Sequence, residues 1–211
     1  DRRVIEVYNI PSLILMENAA RGVFEEIVNQ FSSDASITIF CGTGNNGGDG
    51  LALARQLFCA GYRPEVFIAG EESKIKEPGK THLASLRALK VPTHILREES
   101  NFIEIEKKLS VTDLICDAIL GTACNRNVEG MQKSAIELIN ALPAIVYALD
   151  VPSGINSKSG KICGVAVNAQ KTICFGGLKR GLLLFPGAEI AGEIILKDIG
   201  FPPCAVEEMP T

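Results

Sequence analysis

The stretch from Ser36 to Ala60, SITIFC–GTGNNGGDG–LALARQLFCA, decides the fold. Ser36 to Cys41 is a short run of apolar and β-branched residues, the pattern of a buried strand. Gly42 to Gly47 breaks it with a glycine- and asparagine-rich loop. From Gly48 to Ala60 the apolar residues Leu51, Ala54, Leu57 and Phe58 return at helical spacing. Gly61-Tyr62-Arg63-Pro64 reads as a turn and Glu65 to Ala69 as a second strand, which makes a strand–helix–strand unit. Upstream, Pro11-Ser12 starts a helix with Leu13, Met16, Ala19, Ala20, Val23 and Ile27 on one side. Downstream the alternation continues, with helices at about 80–89, 101–109 and 130–141. Strands are predicted at 93–96, 113–117, 144–150, 171–175 and 193–197. Strands alternating with helices imply an α/β domain whose parallel sheet is covered on both faces.

The chain has 211 residues, enough for one such domain over 1–201, with 202–211 as a frayed tail or the start of a linker. Apolar residues make up 46% and charged residues 22%, and the net charge is −4, so no nucleic-acid surface is expected. No apolar run is long enough for a membrane span. The seven cysteines have no Cys-x-x-Cys spacing, and Cys41, Cys59, Cys116 and Cys174 fall in or beside apolar runs. They read as small buried hydrophobes of a cytoplasmic protein rather than disulfides or a zinc site. The two histidines, His82 and His94, have no ligand cluster around them, and surface or structural roles are expected. The chain opens at Asp1 without an initiator Met, so a trimmed targeting segment is one expectation for its start.

Ligands of parallel α/β sheets bind beyond the carboxyl ends of the strands, where strand order reverses. Polar groups just past the strands are therefore the candidates. The first strand leads to Asn45, Asn46, Gly47, Gly48 and Asp49. The strand at 113–117 ends on Asp117 and leads to Gly121-Thr122. The strand at 144–150 ends on Asp150 and leads to Val151-Pro152-Ser153-Gly154. Gly42, Gly44 and Gly47 match G-x-G-x-x-G, whose backbone N–H groups suit a phosphate. Asp49 repels a phosphate unless it caps the helix, faces away or shares a cation. Asn45, Asn46, Asp117 and Ser153 offer only oxygen ligands, which favour a hard ion over zinc. Lys179-Arg180 is either a solvated basic turn or a phosphate-reaching lysine, and Glu17-Asn18 either an exposed helix face or part of a pocket. Ser153 has no histidine partner, which argues against a Ser-His-Asp hydrolase.

Four segments occur in order: Ile10 to Ala20 (IPSLILMENAA), Cys41 to Gly50 (CGTGNNGGDG), Asp117 to Gly121 (DAILG) and Asp150 to Gly154 (DVPSG). Together they resemble the YjeF N-terminal domain family, the NAD(P)HX epimerases, which includes the animal apolipoprotein-binding homologue. The resemblance runs from about Asp1 to Gly200. It implies a Rossmann-like three-layer sandwich and interconversion of the R and S forms of NADHX and NADPHX, nicotinamide cofactors hydrated at one ring carbon. It further implies substrate contacts at Asn45, Asn46, Gly47, Gly48 and Asp49, at Gly121, Thr122, Ala123, Cys124, Asn125, Arg126 and Asn127, and at Asp150. One potassium ion per subunit is implied at Asn46, Asp117 and Ser153. The chain departs from the family pattern at Ala20, where many members have Gly, and at Cys124 to Asn127. Expected catalytic groups are Asp150 as acid/base and Lys179 as its helper. The expected partners are a dehydratase domain or protein and further copies of the chain as a homo-oligomer. The rival readings are an ordinary NAD(P)-dependent oxidoreductase and a binding protein with a vestigial site.

Overall fold

A computed structural model describes residues 2–97 and 102–207. Asn101, at the start of one expected helix, and the last four residues of the tail lie outside these. Seven strands form one sheet: β1 (Ile37–Cys41), β2 (Glu65–Ala69), β3 (Thr93–Leu96), β4 (Leu114–Ala118), β5 (Ile145–Leu149), β6 (Lys171–Phe175) and β7 (Glu193–Lys197). Their order is β3-β2-β1-β4-β5-β6-β7. Every neighbouring pair is parallel, where a mostly parallel sheet was expected.

Among the described residues eight α-helices accompany the strands: α1 (Arg2–Glu6), α2 (Ser12–Val28), α3 (Asn45–Cys59), α4 (Gly79–Ala88), α5 (Phe102–Leu109), α6 (Gly130–Ala141), α7 (Gly187–Ile190) and α8 (Pro203–Glu207). The four-residue α7 and the five-residue α1 and α8 carry too few periodic positions to show in the sequence. Alternation along the strands sets the layers. Ile37, Ile39 and Cys41 of β1 pack with Met16, Ala19, Val23 and Ile27 of α2 and with α3 and α4 on one face. Phe40 points the other way, into a second core with Leu109 of α5 and Ile136 and Ile139 of α6. Each large side chain buried this way contributes roughly 1.5–3 kcal/mol. The result is the three-layer sandwich expected, with helices on both faces.

The chain runs outward from β1 through β2 to β3, then crosses to β4 on the opposite side of β1. Strand order therefore reverses between β1 and β4. At their carboxyl ends the Gly42 N–H donates to the Ala118 carbonyl at 2.9 Å, which holds the two outgoing loops side by side.

Among the described residues, no helix is long and apolar enough to cross a membrane. All seven cysteines are free. Cys41, Cys116, Cys124, Cys163 and Cys174 are buried, whereas Cys59 is exposed, contrary to the reading of its apolar neighbourhood. Cys59 is the last residue of α3 and lies on the helix's outer side.

Candidate active site

The loop after β1 is shorter than its glycines suggest. Gly44 stands at the N-cap position and α3 begins at Asn45, so NNGGDG is the first turn and a half of the helix. Glycine is required here by close approach. A Cβ on Gly42 would sit 2.0 Å from the Ile119 carbonyl oxygen, and one on Gly47 would sit 1.9 Å from the Gly42 carbonyl oxygen. The helix start is thus pressed against the loop leaving β4. Asp49 lies a full turn inside α3, which removes the N-cap role, and its half-buried side chain lines a cavity instead.

Beneath that cavity lies a polar floor. Asp117, fully buried in β4, accepts hydrogen bonds from the Ser153 N–H (2.7 Å), the Ser153 hydroxyl (2.6 Å) and the Ile119 N–H (3.2 Å). Burial pushes its carboxyl up to about 6, while these donors hold it back from rising further. Ser153 Oγ also accepts from the Leu120 N–H at 2.7 Å. The Asn46 amide donates to the Leu120 carbonyl at 3.0 Å. Leu120 therefore gathers Asn46, Ser153 and, through Ser153, Asp117. The remaining amide oxygen of Asn46, Oδ1, is buried and has no partner. A buried acceptor without a donor, close to a carboxylate and a hydroxyl, fits a hard cation bound through oxygen.

The wall of the cavity comes from β5 and from the loop after β6. Asp150 takes a left-handed backbone conformation, φ +65°, a strain of about 1–3 kcal/mol for a residue that is not glycine. Its N–H donates to the Ile173 carbonyl at 2.8 Å and its Oδ1 accepts from the Phe175 N–H at 3.2 Å. The Lys179 ammonium forms an ion pair with the same Oδ1 and donates to the Phe175 carbonyl at 2.6 Å. Burial pushes the Asp49 carboxyl well above the ordinary carboxylate range. The negative charge of Asp150 adds to this and Lys179 opposes it.

The cavity measures about 960 Å³ and opens at the switch point between β1 and β4. Asn45, Asn46 and Asp49 line it from α3, Gly121, Thr122 and Ala123 from the loop after β4, and Asp150 and Lys179 from the wall. Other expected contacts lie elsewhere. Gly47 and Gly48 pack against Gly42 and against Met16 and Gly79. Cys124 is buried in the core of the opposite face, its carbonyl accepting from the Asn156 amide at 3.1 Å, and Asn125, Arg126 and Asn127 are exposed away from the cavity. The basic pair divides, Lys179 turning inward and Arg180 facing solvent. Glu17 and Asn18 are fasteners rather than an exposed face or a pocket lining. Glu17 pairs with Arg55 at 2.6 Å, and the Asn18 amide donates to the Ile199 carbonyl at 2.8 Å. His82 is buried and His94 pairs with Glu65 at the surface, as expected for non-ligand histidines.

Lining residues that escaped the sequence reading include Glu77, Gln132, Phe175 and Phe201. Phe175 ends β6, and strand-end position is a signal that the same reasoning could have used. Glu77, Gln132 and Phe201 reach the cavity only through the packing of distant segments.

Residues 12–181 match the family model described as YjeF-related protein N-terminus. The NAD(P)H-hydrate epimerase of Limosilactobacillus fermentum is 36% identical over 94% of this chain and 91% of its own length. The bifunctional NAD(P)H-hydrate repair enzyme Nnr of Thermofilum pendens is 35% identical over 99% of this chain, which spans only 40% of that relative. The crystal structure of the yeast protein YNL200c superposes with a TM-score of 0.75 at 27% identity, covering 86% of this chain and 78% of that one. Most of the cavity lining, including Asn45, Asn46, Asp49, Asp150 and Lys179, falls within the stretch that the family model spans. The chain belongs to the YjeF-related protein N-terminus family.

Proposed function

We propose that the chain is an NAD(P)H-hydrate epimerase that interconverts the R and S forms of NADHX and NADPHX. The observation that carries this reading is the ion pair of Asp150 and Lys179 on the wall of a cavity whose rim is the first turn of α3. A nicotinamide nucleotide needs an anion-tolerant helix start for its phosphates and, at the hydrated ring, a group that moves a proton. Both stand here within one enclosure.

The stereocentre carries a hydroxyl beside the ring nitrogen. Protonation of that hydroxyl lets it leave as water, with the nitrogen lone pair filling the vacancy to give a flat iminium. Water then adds to either face and surrenders a proton. The Asp150 carboxylate would do that proton work, a reading supported by the Lys179 ammonium and the Phe175 N–H, which fix its orientation from two sides. The orphaned Asn46 oxygen, Asp117 and Ser153 would hold one potassium ion, whose charge would offset the buried carboxylate and favour a phosphate or ribose oxygen nearby. The free, mostly buried thiols support a reducing compartment such as the cytoplasm, and a dehydratase acting on the S form is the partner this activity requires.

The test follows R-to-S conversion of NADHX by chromatography, with potassium present and with potassium replaced by a bulky organic cation. Acceleration above the spontaneous rate that depends on potassium is the expected result. No acceleration in either buffer would overturn the reading.

A further inference from the structure

Four carboxylates line or underlie the site, and their surroundings differ. Glu77 accepts from the Thr81 N–H at 3.2 Å and from the Thr81 hydroxyl at 2.7 Å. Asp117 is satisfied by three donors under the floor. Asp150 is satisfied by an ammonium and a backbone N–H. Asp49 lines the same cavity as Asp150 yet has no hydrogen bond or ion pair among the described residues, feeling Asp150 and Lys179 only through space. A carboxylate already bound to an ammonium and an N–H donor is built to receive a proton rather than to give one. The epimerisation needs both acts.

We propose that Asp49 is a second catalytic residue, and that it and Asp150 carry a single proton between the two of them, which rests on Asp49 and is given to the leaving hydroxyl of the substrate. The inference rests on the epimerase reading above. Two like charges facing one cavity cannot both ionise cheaply, and two carboxyl groups in unlike surroundings divide the roles of acid and base. The titratable groups around Asp49 are Asp150 just past β5, Lys179 after β6, the Cys41 thiol of β1 and Glu77, which lines the same cavity. The thiol is itself pushed up by burial, so it stays neutral and leaves the carboxylates and the lysine to set the balance.

The step balances. Asp49 transfers its proton to the ring hydroxyl, and the carbon–oxygen bond breaks with its electron pair departing on water. The nitrogen lone pair forms the iminium double bond, leaving Asp49 as a carboxylate beside a cation. Water adds to the other face, its oxygen forming the new bond and its proton passing to Asp150. The pair then carries the same single proton, now on Asp150, and the opposite epimer is processed by the reverse path. Return of the proton to Asp49 resets the cycle.

Two measurements on the full chain test this. Difference infrared spectra of the wild type against Asp49→Asn, in mildly acidic buffer without substrate, are expected to show the carbonyl band of a protonated carboxyl group in the wild type alone. Its absence would overturn the shared proton whatever the protein's activity. With NADHX as substrate, Asp49→Asn is expected to lose about 100-fold in kcat in both directions with KM changed little. The wild-type rate is expected to fall as rising pH removes the shared proton, and the residual rate of the variant to lack that limb. A variant that keeps at least half of the wild-type kcat, or retains the limb, would overturn the assignment. A wild type that shows the infrared band but no epimerisation would overturn the epimerase reading and leave the protonated Asp49 standing. A melting temperature of the variant at or above that of the wild type excludes a folding defect as the cause of lost rate.

Discussion

The floor and the wall of the cavity use the same side chains in opposite ways. On the floor, Asp117, Ser153 and Asn46 are tied to the loops leaving β4 and β5 by hydrogen bonds of 2.6–3.2 Å, and one amide oxygen is left over. On the wall, Asp49 is left without a partner among the described residues, Asp150 is held in a strained backbone conformation, and one lysine serves two acceptors. A satisfied buried carboxylate joins elements together, because removing it strands its donors. An unsatisfied one that faces a cavity costs stability and is retained for something else. Floor residues should therefore be read through stability and wall residues through rate.

The sharpest way to break that division is at the contact under the floor. Gly47→Ala puts a carbon 1.9 Å from the Gly42 carbonyl oxygen, and backbone cannot rotate away as a side chain can. We expect a loss of about 3 kcal/mol or more in urea unfolding. A loss under about 1 kcal/mol would mean that α3 is not clamped to the loop leaving β1 at Gly42.

Next in size is Asp117→Asn, which turns one acceptor oxygen into a donor facing either the Ser153 N–H at Oδ2 or the Ser153 hydroxyl and Ile119 N–H at Oδ1. The expected cost is about 2 kcal/mol, a fall in Tm of about 4–8 °C for a domain of this length. The same substitution at Asp49 should have the opposite sign. Asp49→Asn removes a carboxyl group that no donor meets, and we expect Tm to rise by about 2–4 °C, or about 1 kcal/mol, while the rate collapses. Parallel falls in Tm for the two variants would erase the distinction between floor and wall.

The framework of the fold was legible because its signals are local. β6 and β7 appear at the residues expected, and α2 starts where Pro11-Ser12 announced it. Asp117 and Asp150 were found because strand ends in a parallel sheet share one edge. What the sequence hid is direction and partnership. NNGGDG looks like a loop because glycine and asparagine are poor helix formers, yet tertiary contacts at Gly42 and Gly47 wind it into α3. The segment from Gly121 to Asn127 looks continuous, yet it divides where Cys124 turns down into the core of the other face. Glu17 seemed free because its partners Arg55 and Gln56 lie far along the chain.

His82 is a third kind of buried polar group and gives the smallest expected effect. It sits on α4, 2% exposed, with Nδ1 3.7 Å from Glu17 and with Nε2 buried and unpartnered. Unlike Asp49 it is not part of the lining of this cavity, and unlike Asp117 it is not fully satisfied, so it should register weakly in stability and not at all in rate. Burial lowers its affinity for a proton below the ordinary histidine value of 6.5, Glu17 opposing and Arg55 adding to the shift. In the unfolded chain the same ring takes up a proton as pH falls through 6.5. The unfolded state thus binds more protons there, and stability must rise with pH across that window and be lost below it. His82→Gln removes the titration, so its urea midpoint should fall less than that of the wild type between mildly alkaline and mildly acidic buffer. The difference is expected to stay under about 1 kcal/mol. Identical slopes would show that the ring gains its proton as readily in the fold as outside it. In that case the pairing with Glu17 outweighs burial, and the cluster joining α2, α3 and α4 belongs with the floor.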